Sequence, residues 1–262
     1  MSPHTWDPER YLTYADERGR PFADLLARVP ATEVDHVVDL GCGPGNLTAW
    51  LKKRWPASDV LGLDSSPEMV ARAREKGPAG VTFDVGDLRE WEAETPVDVL
   101  VSNATLQWVP GHLELLPRLV AQVAPGGWFA FQVPGNFEEA SHVLLHRLAA
   151  DDRFEGYVEG VARPDAFGPE VYLEALLDLG CVVDAWETTY LHVLHGDDPV
   201  FTWVSGTAAR PVLQALPEPL RAEFAADYKQ ALREAYPSGP HGTVLPFRRV
   251  FVVAQVAART PS

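Results

Sequence analysis

The sequence predicts an α/β fold in which a seven-stranded, mostly parallel sheet carries helices on both faces. Short apolar runs alternate with amphipathic helical segments, which is the pattern of repeated βα units. The first apolar run, 37–40, leads directly into a turn, 41–45, with glycine at every second position, and the second run ends at Asp64. Glycine permits sharp turns and the close approach of a ligand, and a strand-end acid can accept both hydroxyls of a ribose. A nucleotide-type ligand is therefore expected at this edge of the sheet.

Each element follows from its local sequence pattern. The strands are predicted at residues 37–40, 60–63, 81–85, 97–102, 128–133, 182–194 and 245–256. The helices are predicted at residues 20–29, 46–55, 67–76, 112–123, 137–150 and 169–179, and a helical segment over 199–236 is broken near Pro211 and at Pro217–Pro219. Ser66 is a favourable N-cap before Pro67, and Gly77 ends that helix. The first five strands are expected to form five βα repeats with right-handed crossovers.

A single domain, 1–262, is expected. Its core is assigned to residues 20–135, 182–198 and 243–258, and its helical lid segments to residues 136–180 and 199–237. Open α/β sheets bind ligands at the carboxyl edge of their strands. The lid is therefore expected to cover that edge and to enclose a second, smaller substrate beside the nucleotide.

Composition excludes several classes of protein. The 262 residues are 46% hydrophobic and 23% charged, as in globular proteins, and the formal charge of −15 argues against binding nucleic acid through its phosphates. Two cysteines, Cys42 and Cys181, do not make a disulfide scaffold, and no Cys/His cluster has the spacing of metal ligands. The N-terminus lacks an apolar signal core, and no apolar run reaches the length of about 20 residues that spans a membrane. A cytoplasmic protein without membrane contact is expected, and its oligomeric state is left open.

The spacing of the glycines distinguishes between nucleotides. A dinucleotide fingerprint requires G-x-G-x-x-G, and Asn46 stands where its third glycine would be. The pattern, including Asp39 two residues before the first glycine, instead resembles the S-adenosylmethionine site of the Rossmann-like methyltransferases. The expected cofactor is S-adenosyl-L-methionine, with S-adenosyl-L-homocysteine as its product. The predicted cofactor-binding residues are Asp39, Gly41, Gly43, Gly45, Asp64, Ser65, Asp87, Leu88 and Asn103.

These cofactor-binding residues have separate expected roles. The three glycines give the methionine tail of the donor room, and helix amides can meet its carboxylate. Asp64 is expected to hold the ribose hydroxyls, Asp87 to accept the adenine amino hydrogens, and Leu88 to pack near the ring. Asn103 ends the fourth strand, where the methyl group is expected to be presented. An alternative stays open for Asp87, because aspartate also serves as a turn residue that caps the next segment.

Beyond the donor motifs, the chain resembles the trans-aconitate methyltransferases nearly from end to end. The segments that carry the resemblance in the first half are Trp6–Pro8 with Tyr11, Glu17–Pro21, the glycine turn, Leu63–Met69 and Ser102–Trp108. In the second half they are Gln132–Pro134, Trp186–Tyr190, Trp203–Thr207 with Arg210 and Pro211, and Leu245–Arg249. The resemblance implies methyl transfer to one carboxylate of a small di- or tricarboxylic acid, most specifically trans-aconitate, which gives a monomethyl ester.

The implied chemistry needs no catalytic base, because a carboxylic acid with a pKa of about 4 is already ionised near neutral pH. The enzyme must align the acid with the donor, and proximity can supply about 7–11 kcal/mol in favourable cases. It must also neutralise the other carboxylates, for which the planar guanidinium of arginine is suited. The substrate-binding residues implied are Arg20, Arg210 and Arg249, supported by Tyr11, Tyr190, Trp203 and Thr207.

Less specific interpretations stand beside these substrate roles. Arg20 and Arg210 could form ordinary surface ion pairs, and Trp203 could be helix core. Arg248 and Arg249 alternate along a strand, so only one of them can face a pocket. His192 and His195 are isolated in the sequence and are expected to be structural or solvent-facing.

Two other functions remain compatible with the sequence. The first is a methyltransferase that acts on oxygen, nitrogen or carbon of another small metabolite. The second is a non-catalytic module that binds S-adenosylmethionine and contacts a protein partner. A dehydrogenase is disfavoured by the glycine spacing, and binding of NAD without binding of S-adenosylmethionine would restore it.

Overall fold

The computed structural model describes residues 15–258, and the prediction of an α/β fold is confirmed. Seven strands form one sheet among these residues. The strands are β1 (His36–Leu40), β2 (Asp59–Asp64), β3 (Val81–Val85), β4 (Val97–Asn103), β5 (Val123–Pro134), β6 (Val182–Leu194) and β7 (Thr243–Gln255).

Ten α-helices occur in the part of the chain that the structure describes. Those before β6 are α1 (Ala15–Ala27), α2 (Thr48–Arg54), α3 (Pro67–Lys76), α4 (His112–Ala121), α5 (Ala140–Ala149), α6 (Glu155–Val158) and α7 (Pro169–Asp178). Those between β6 and β7 are α8 (Pro199–Ser205), α9 (Arg210–Ala215) and α10 (Leu220–Ala235). A short 3-10 turn, Leu106–Trp108, follows β4.

The strand order β3-β2-β1-β4-β5-β7-β6 places β1 near the middle of the sheet. Neighbouring strands are parallel in the pairs β1–β2, β1–β4, β2–β3 and β4–β5. The order reverses between β1 and β4, and such a switch point opens a crevice at the carboxyl ends of the strands. The residues that end β1, β2 and β4 therefore lie at the edge where a ligand is expected.

The prediction of five regular βα repeats is wrong at one position. No helix connects β3 to β4; residues 86–96 instead form a turn in which the amides of Glu90 and Trp91 donate to the carbonyl of Asp87. The sequence of this connection is rich in acids and ends in Thr95 and Pro96, so it offers no apolar helical face. An open groove of about 710 Å³ lies here, lined by residues of β1, β2 and β3.

The helical segment predicted over 199–236 is broken as expected. It consists of α8, α9 and α10, with Pro211 in the first turn of α9 and Pro219 just before α10. Proline is tolerated at the start of a helix, where its missing N–H would have no partner. Ser66 caps α3 as predicted, since its hydroxyl accepts the Met69 amide at 3.2 Å. The short helix α6 was not predicted.

The chain divides into two compact units, which are described separately. Unit 1 holds the described residues up to Val133, Phe167–Glu187 and the described residues from Val250 on. Unit 2 holds Pro134–Ala166 and Thr188–Arg249. In unit 1 the core consists of β1 to β4, most of β5 and parts of β6 and β7, with the helices that belong to this unit. In unit 2, α10 packs on α5, and the Tyr228 hydroxyl donates to the Ser141 carbonyl at 2.6 Å.

No helix within residues 15–258 is long and apolar enough to cross a membrane.

Candidate functional site

The three glycines of the turn after β1 serve different purposes. All have positive φ angles, of 77°, 55° and 79° in Gly41, Gly43 and Gly45. A Cβ at Gly41 would lie 2.1 Å from Oγ1 of Thr105, and one at Gly45 would lie 2.8 Å from the ring of Phe83. A Cβ at Gly43 would meet nothing within 4 Å. Gly41 and Gly45 are thus required by packing within unit 1, and Gly43 faces the space that a ligand could use.

Asp64, at the end of β2, is tied to this turn through its carboxylate. One oxygen accepts the amide of Gly43 at 2.9 Å, and the other accepts the amide of Ser66 at 2.9 Å. Burial raises the pKa of Asp64, and the two amide hydrogen bonds act against that rise. A carboxylate has about four acceptor positions, so two remain for hydroxyl donors such as those of a ribose. Ser65, also predicted to bind the cofactor, is exposed beside it.

Asp39 lies beneath the turn and is 2% exposed. The hydroxyl of Thr48, the first residue of α2, donates to its carboxylate at 2.7 Å. Burial raises the pKa of Asp39 to about 7; the Thr48 hydrogen bond lowers it, and the charge of Asp64 raises it further. Sequence reasoning missed Thr48, although a hydroxyl in the first turn of the helix that follows the glycines was a usable signal.

Asp87 follows β3 and makes local contacts. Its carboxylate accepts the backbone amide of Arg89 at 2.9 Å and the guanidinium Nε of the same residue at 2.9 Å. The Arg89 side chain holds the pKa of Asp87 below its ordinary value. The structure therefore gives Asp87 the turn role that was the alternative, and the adenine role stays a prediction. Leu88 is buried next to it.

Asn103 ends β4 within a network of amide groups. Nε2 of Gln132 donates to its Oδ1 at 2.6 Å, and the Thr105 hydroxyl donates to its backbone carbonyl at 3.2 Å. The next residue, Ala104, has a φ of 54°, which is uncommon for a residue with a side chain. Its carbonyl accepts Nε2 of Gln107 at 2.6 Å. Gln132 and Thr105 were not singled out as site residues, because their contacts depend on the register of β4 and β5.

The predicted substrate residues of unit 2 are mostly buried. Arg210 is 9% exposed and Arg249 6%, and Tyr190 and Trp203 are buried as well. The Arg249 guanidinium lies 4.5 Å from the centroid of the Phe247 ring. This ring is 5.6 Å from that of Trp203, centroid to centroid, so basic and aromatic groups occur together.

The remaining predicted residues lie elsewhere or outside the described part of the chain. Arg248 is half-buried and donates to the Gly135 carbonyl at 3.0 Å, which fits the expectation that it and its neighbour point in opposite directions. The Thr207 hydroxyl donates to the Trp203 carbonyl of its own helical turn at 3.3 Å. Arg20 is exposed on α1, and Tyr11 lies outside the described residues.

Two histidines have different surroundings. His192 is buried, with its ring 4.7 Å from that of Trp203, whereas His195 is exposed. Within residues 15–258, no group of three or more His, Cys, Asp or Glu side chains could hold a metal ion. Cys42 and Cys181 are buried free thiols, and burial raises the pKa of both.

The architecture and the turn define the class of protein. A sheet in the order 3-2-1-4-5-7-6, with a glycine turn after β1 whose amide is bonded to the acid ending β2, is the donor-binding framework of S-adenosylmethionine-dependent methyltransferases. Residues 37–127 match the family model described as a methyltransferase domain.

Sequence comparison narrows the class. The chain is 52% identical over 263 residues to a trans-aconitate 2-methyltransferase of Streptomyces avermitilis, covering 97% of this chain and 98% of that protein. It is 46% identical over 257 residues to the trans-aconitate 2-methyltransferase of Mycobacterium tuberculosis, covering 96% and 97% respectively. The chain therefore belongs to the trans-aconitate 2-methyltransferase family, as the sequence resemblance predicted, and its cofactor is S-adenosylmethionine.

Solved structures agree on the fold. The YcgJ protein of Bacillus subtilis matches with a TM-score of 0.58 at 12% identity, covering 91% of this chain and 98% of that one. A phosphoethanolamine N-methyltransferase of Haemonchus contortus, bound to S-adenosylhomocysteine, matches with a TM-score of 0.54 at 16% identity, covering 92% and 53%. At such low identity, the similarity to these structures supports the fold and does not indicate the acceptor.

Proposed function

We propose that this enzyme transfers the methyl group of S-adenosylmethionine to one carboxylate of trans-aconitate. The products are a monomethyl ester and S-adenosylhomocysteine. The observation that carries the proposal is the 52% identity to a trans-aconitate 2-methyltransferase, because it extends over 97% of the chain. The match therefore extends over the segments of unit 2 as well as over the donor framework that many methyltransferases share.

The chemistry supports a site without a general base. The ionised carboxylate attacks the methyl carbon in line, a C–O bond forms as the C–S bond breaks, and the electron pair of that bond goes to sulfur. A negative acceptor and a positive sulfonium become a neutral ester and a neutral thioether, so charge disappears as the reaction proceeds. A water-poor site favours such a step, because it replaces the solvation of both charges by fixed groups.

The donor groups of unit 1 are proposed to act as follows. The two free acceptor positions of Asp64 bind the ribose hydroxyls, and Gly43 lets the methionine tail approach the turn. Asp39 contributes negative charge beneath the cationic tail, and Asp87 with Leu88 accommodates the adenine. Further members of the predicted set are Gly41, Gly45 and Ser65, and Asn103 is proposed to lie where the methyl group of the donor is presented to the acceptor.

Most of the proposed acceptor groups belong to unit 2, and Arg20 belongs to unit 1. Arg210 and Arg249 neutralise carboxylates that are not methylated, since a guanidinium can bind a carboxylate through two parallel hydrogen bonds. Tyr190 and Trp203 offer flat aromatic surfaces to the planar, conjugated acid. Tyr11, Arg20 and Thr207 complete the predicted set.

A screen of organic acids tests the proposal directly. The purified enzyme with labelled S-adenosylmethionine is incubated with trans-aconitate, cis-aconitate, citrate and the trimethyl ester of trans-aconitate, and the products are identified by mass spectrometry. We expect a monomethyl ester from trans-aconitate and no transfer to the trimethyl ester, which has no free carboxylate. Transfer to none of the acids, with donor binding intact, would contradict the proposal and leave the two alternatives, a methyltransferase for another small metabolite and a non-catalytic donor-binding module.

Neighbouring arginines on β7 provide a matched test of substrate binding. Arg249→Met is expected to lower kcat/KM for trans-aconitate by a factor corresponding to about 2 kcal/mol or more, because a carboxylate then lacks its partner. Arg248→Met is the control, since Arg248 donates to the Gly135 carbonyl instead. Equal losses in the two variants would contradict the assignment of Arg249.

We also propose that the enzyme acts in the cytoplasm on a free small acid. Cys42 and Cys181 are free thiols, as is usual in a reducing compartment. The formal charge of −15 opposes binding to nucleic acid or to anionic membrane surfaces.

A further inference from the structure

The end of β5 contains a polar residue in an apolar surrounding. Gln132 is 1% exposed, and its neighbours in the strand, Phe131 and Val133, are fully buried. A buried amide is unfavourable unless it is hydrogen-bonded, so its contacts indicate why it is there. In the parallel ladder of β4 and β5, Gln132 lies opposite Asn103.

Gln132 determines how the Asn103 amide is turned. Nε2 of Gln132 donates to Oδ1 of Asn103 at 2.6 Å, and its backbone carbonyl accepts the amide of Ala104 at 2.9 Å. The oxygen end of the Asn103 amide is thereby occupied. Among residues 15–258, no group accepts from its Nδ2, and Asn103 is half-buried at the ligand-binding edge of the sheet. A donor group is therefore available at this edge.

The backbone after Asn103 is held from both sides. Ala104 has a φ of 54°, its amide donates to the Gln132 carbonyl, and its own carbonyl accepts Nε2 of Gln107. A residue with a side chain occupies this left-handed region only when its surroundings impose it, and such residues cluster at functional sites. Two buried glutamines thus fix both the side chain of Asn103 and the course of the chain that follows it.

We propose that Gln132 is a positioning residue, which orients the Asn103 amide so that its NH₂ group donates to a carboxylate oxygen of the acceptor. The proposal rests on the proposed function and assigns a recognition role to the strand end. An ionised carboxylate only accepts hydrogen bonds, so the NH₂ end of an amide attracts it and the oxygen end repels it. The orientation of one amide thereby favours an ionised acid over an acceptor that offers N–H or O–H donors.

Gln132→Glu is the sharpest test, because a carboxylate at this position cannot donate to Oδ1 of Asn103. The Asn103 amide then turns its NH₂ group toward Glu and presents its oxygen to the acceptor. We expect kcat/KM for trans-aconitate to fall about 10- to 100-fold, mainly because KM rises. A loss of this size corresponds to one hydrogen bond to a charged group. The Kd of S-adenosylhomocysteine is expected to stay within about twofold. Gln132→Met, which is uncharged and of similar size, is expected to give a smaller loss in the same parameter.

Ser102→Ala is the matched control. Ser102 precedes Asn103 in β4, is equally buried, and donates to the Leu40 carbonyl at 3.0 Å. This variant also loses one buried hydrogen bond but leaves the Asn103 amide untouched, so the acceptor KM should not change. If both Gln132 variants fold and keep kcat/KM within about twofold of Ser102→Ala, the proposal is overturned. A loss of S-adenosylhomocysteine affinity that parallels the loss of activity would also overturn it.

The orientation of the amide can be observed without turnover. In a ¹⁵N–¹H spectrum, the side-chain NH₂ signal of Asn103 is identified by its absence in Asn103→Asp. Adding trans-aconitate to the wild-type complex with S-adenosylhomocysteine is expected to shift this signal, and the shift should be absent in Gln132→Glu. No shift in the wild type would overturn the proposal. If the wild type esterifies no acid, the proposed function fails, and the Asn103 signal still decides on Gln132, because it reports binding rather than transfer.

Discussion

Asp39 shows how a single buried carboxyl links the donor turn to the stability of the protein. The group is held by the Thr48 hydroxyl, lies near Asp64, and has a pKa raised to about 7 by burial. In the unfolded chain the pKa of an aspartate is about 3.9. Between these two values the folded protein binds a proton that the unfolded chain does not, so Asp39 contributes stability below its unfolded pKa and loses it as pH rises through about 7.

The pH dependence of unfolding tests this carboxyl. From Asp39 alone, the free energy of unfolding should be roughly 2–3 kcal/mol larger at pH 5 than at pH 8. Asp39→Asn keeps an acceptor for the Thr48 hydroxyl and does not titrate. The free energy of unfolding of the wild type minus that of the variant should therefore be larger at pH 5 than at pH 8 by that amount. Urea unfolding without ligand at both pH values measures it. Parallel pH dependence in the two proteins would show that Asp39 titrates normally.

At the scale of elements, α4 and α7 of unit 1 are joined by one buried polar contact. Nε2 of His112 lies 2.8 Å from the Tyr172 hydroxyl, which also accepts the amide of Phe167 at 3.2 Å. The Val109 carbonyl, 3.3 Å from Nδ1 of His112, can only accept, which places the proton of the neutral imidazole on Nδ1 and makes the Tyr172 hydroxyl the donor to Nε2. This histidine connects α4 to α7 and has no role in the proposed chemistry.

Removing the Tyr172 hydroxyl should lower the stability of the protein without changing its affinity for the donor. Tyr172→Phe leaves Nε2 of His112 and the Phe167 amide without this partner, which is expected to reduce the free energy of unfolding by about 2 kcal/mol. Tyr157→Phe is the control, since Tyr157 is 51% exposed and should change stability by less than about 0.5 kcal/mol. Urea unfolding and titration with S-adenosylhomocysteine measure the two properties. A large loss of donor affinity in Tyr172→Phe would contradict a purely structural role.

At the scale of the whole molecule, the donor is proposed to bind unit 1, and the acceptor carboxylates that Arg210 and Arg249 neutralise are proposed to bind unit 2. Hydrogen exchange can locate each ligand. S-adenosylhomocysteine should protect amides between residues 36 and 66 of unit 1, because ligand binding opposes local opening. Trans-aconitate should protect residues 188–210 and 243–249 of unit 2. In Arg249→Met, the protection by trans-aconitate should disappear and the protection by S-adenosylhomocysteine should remain. Protection of the same segments by both ligands would contradict this division.

The limits of sequence reasoning follow from the range of the interactions involved. The strand 182–194 was predicted at both ends, because its run of β-branched and aromatic residues is a local signal, and so was the cap at Ser66. The absent helix between β3 and β4 was not foreseen, since regular repeats were extended over an acidic connection. The Gln132–Asn103 contact could not be read from sequence, because the register of two strands determines it.

Buried thiols have a practical consequence for work with this enzyme. The nucleophile in thiol chemistry is the thiolate, and burial raises the pKa of both Cys42 and Cys181. The folded protein should therefore tolerate oxygen and alkylating reagents during purification, and a thiol-reactive dye should label it slowly. Cys42 lies inside the donor turn. The rate at which Cys42 is labelled should therefore report how often that turn opens. S-adenosylhomocysteine should lower this labelling rate, and no engineered cysteine is needed to measure it.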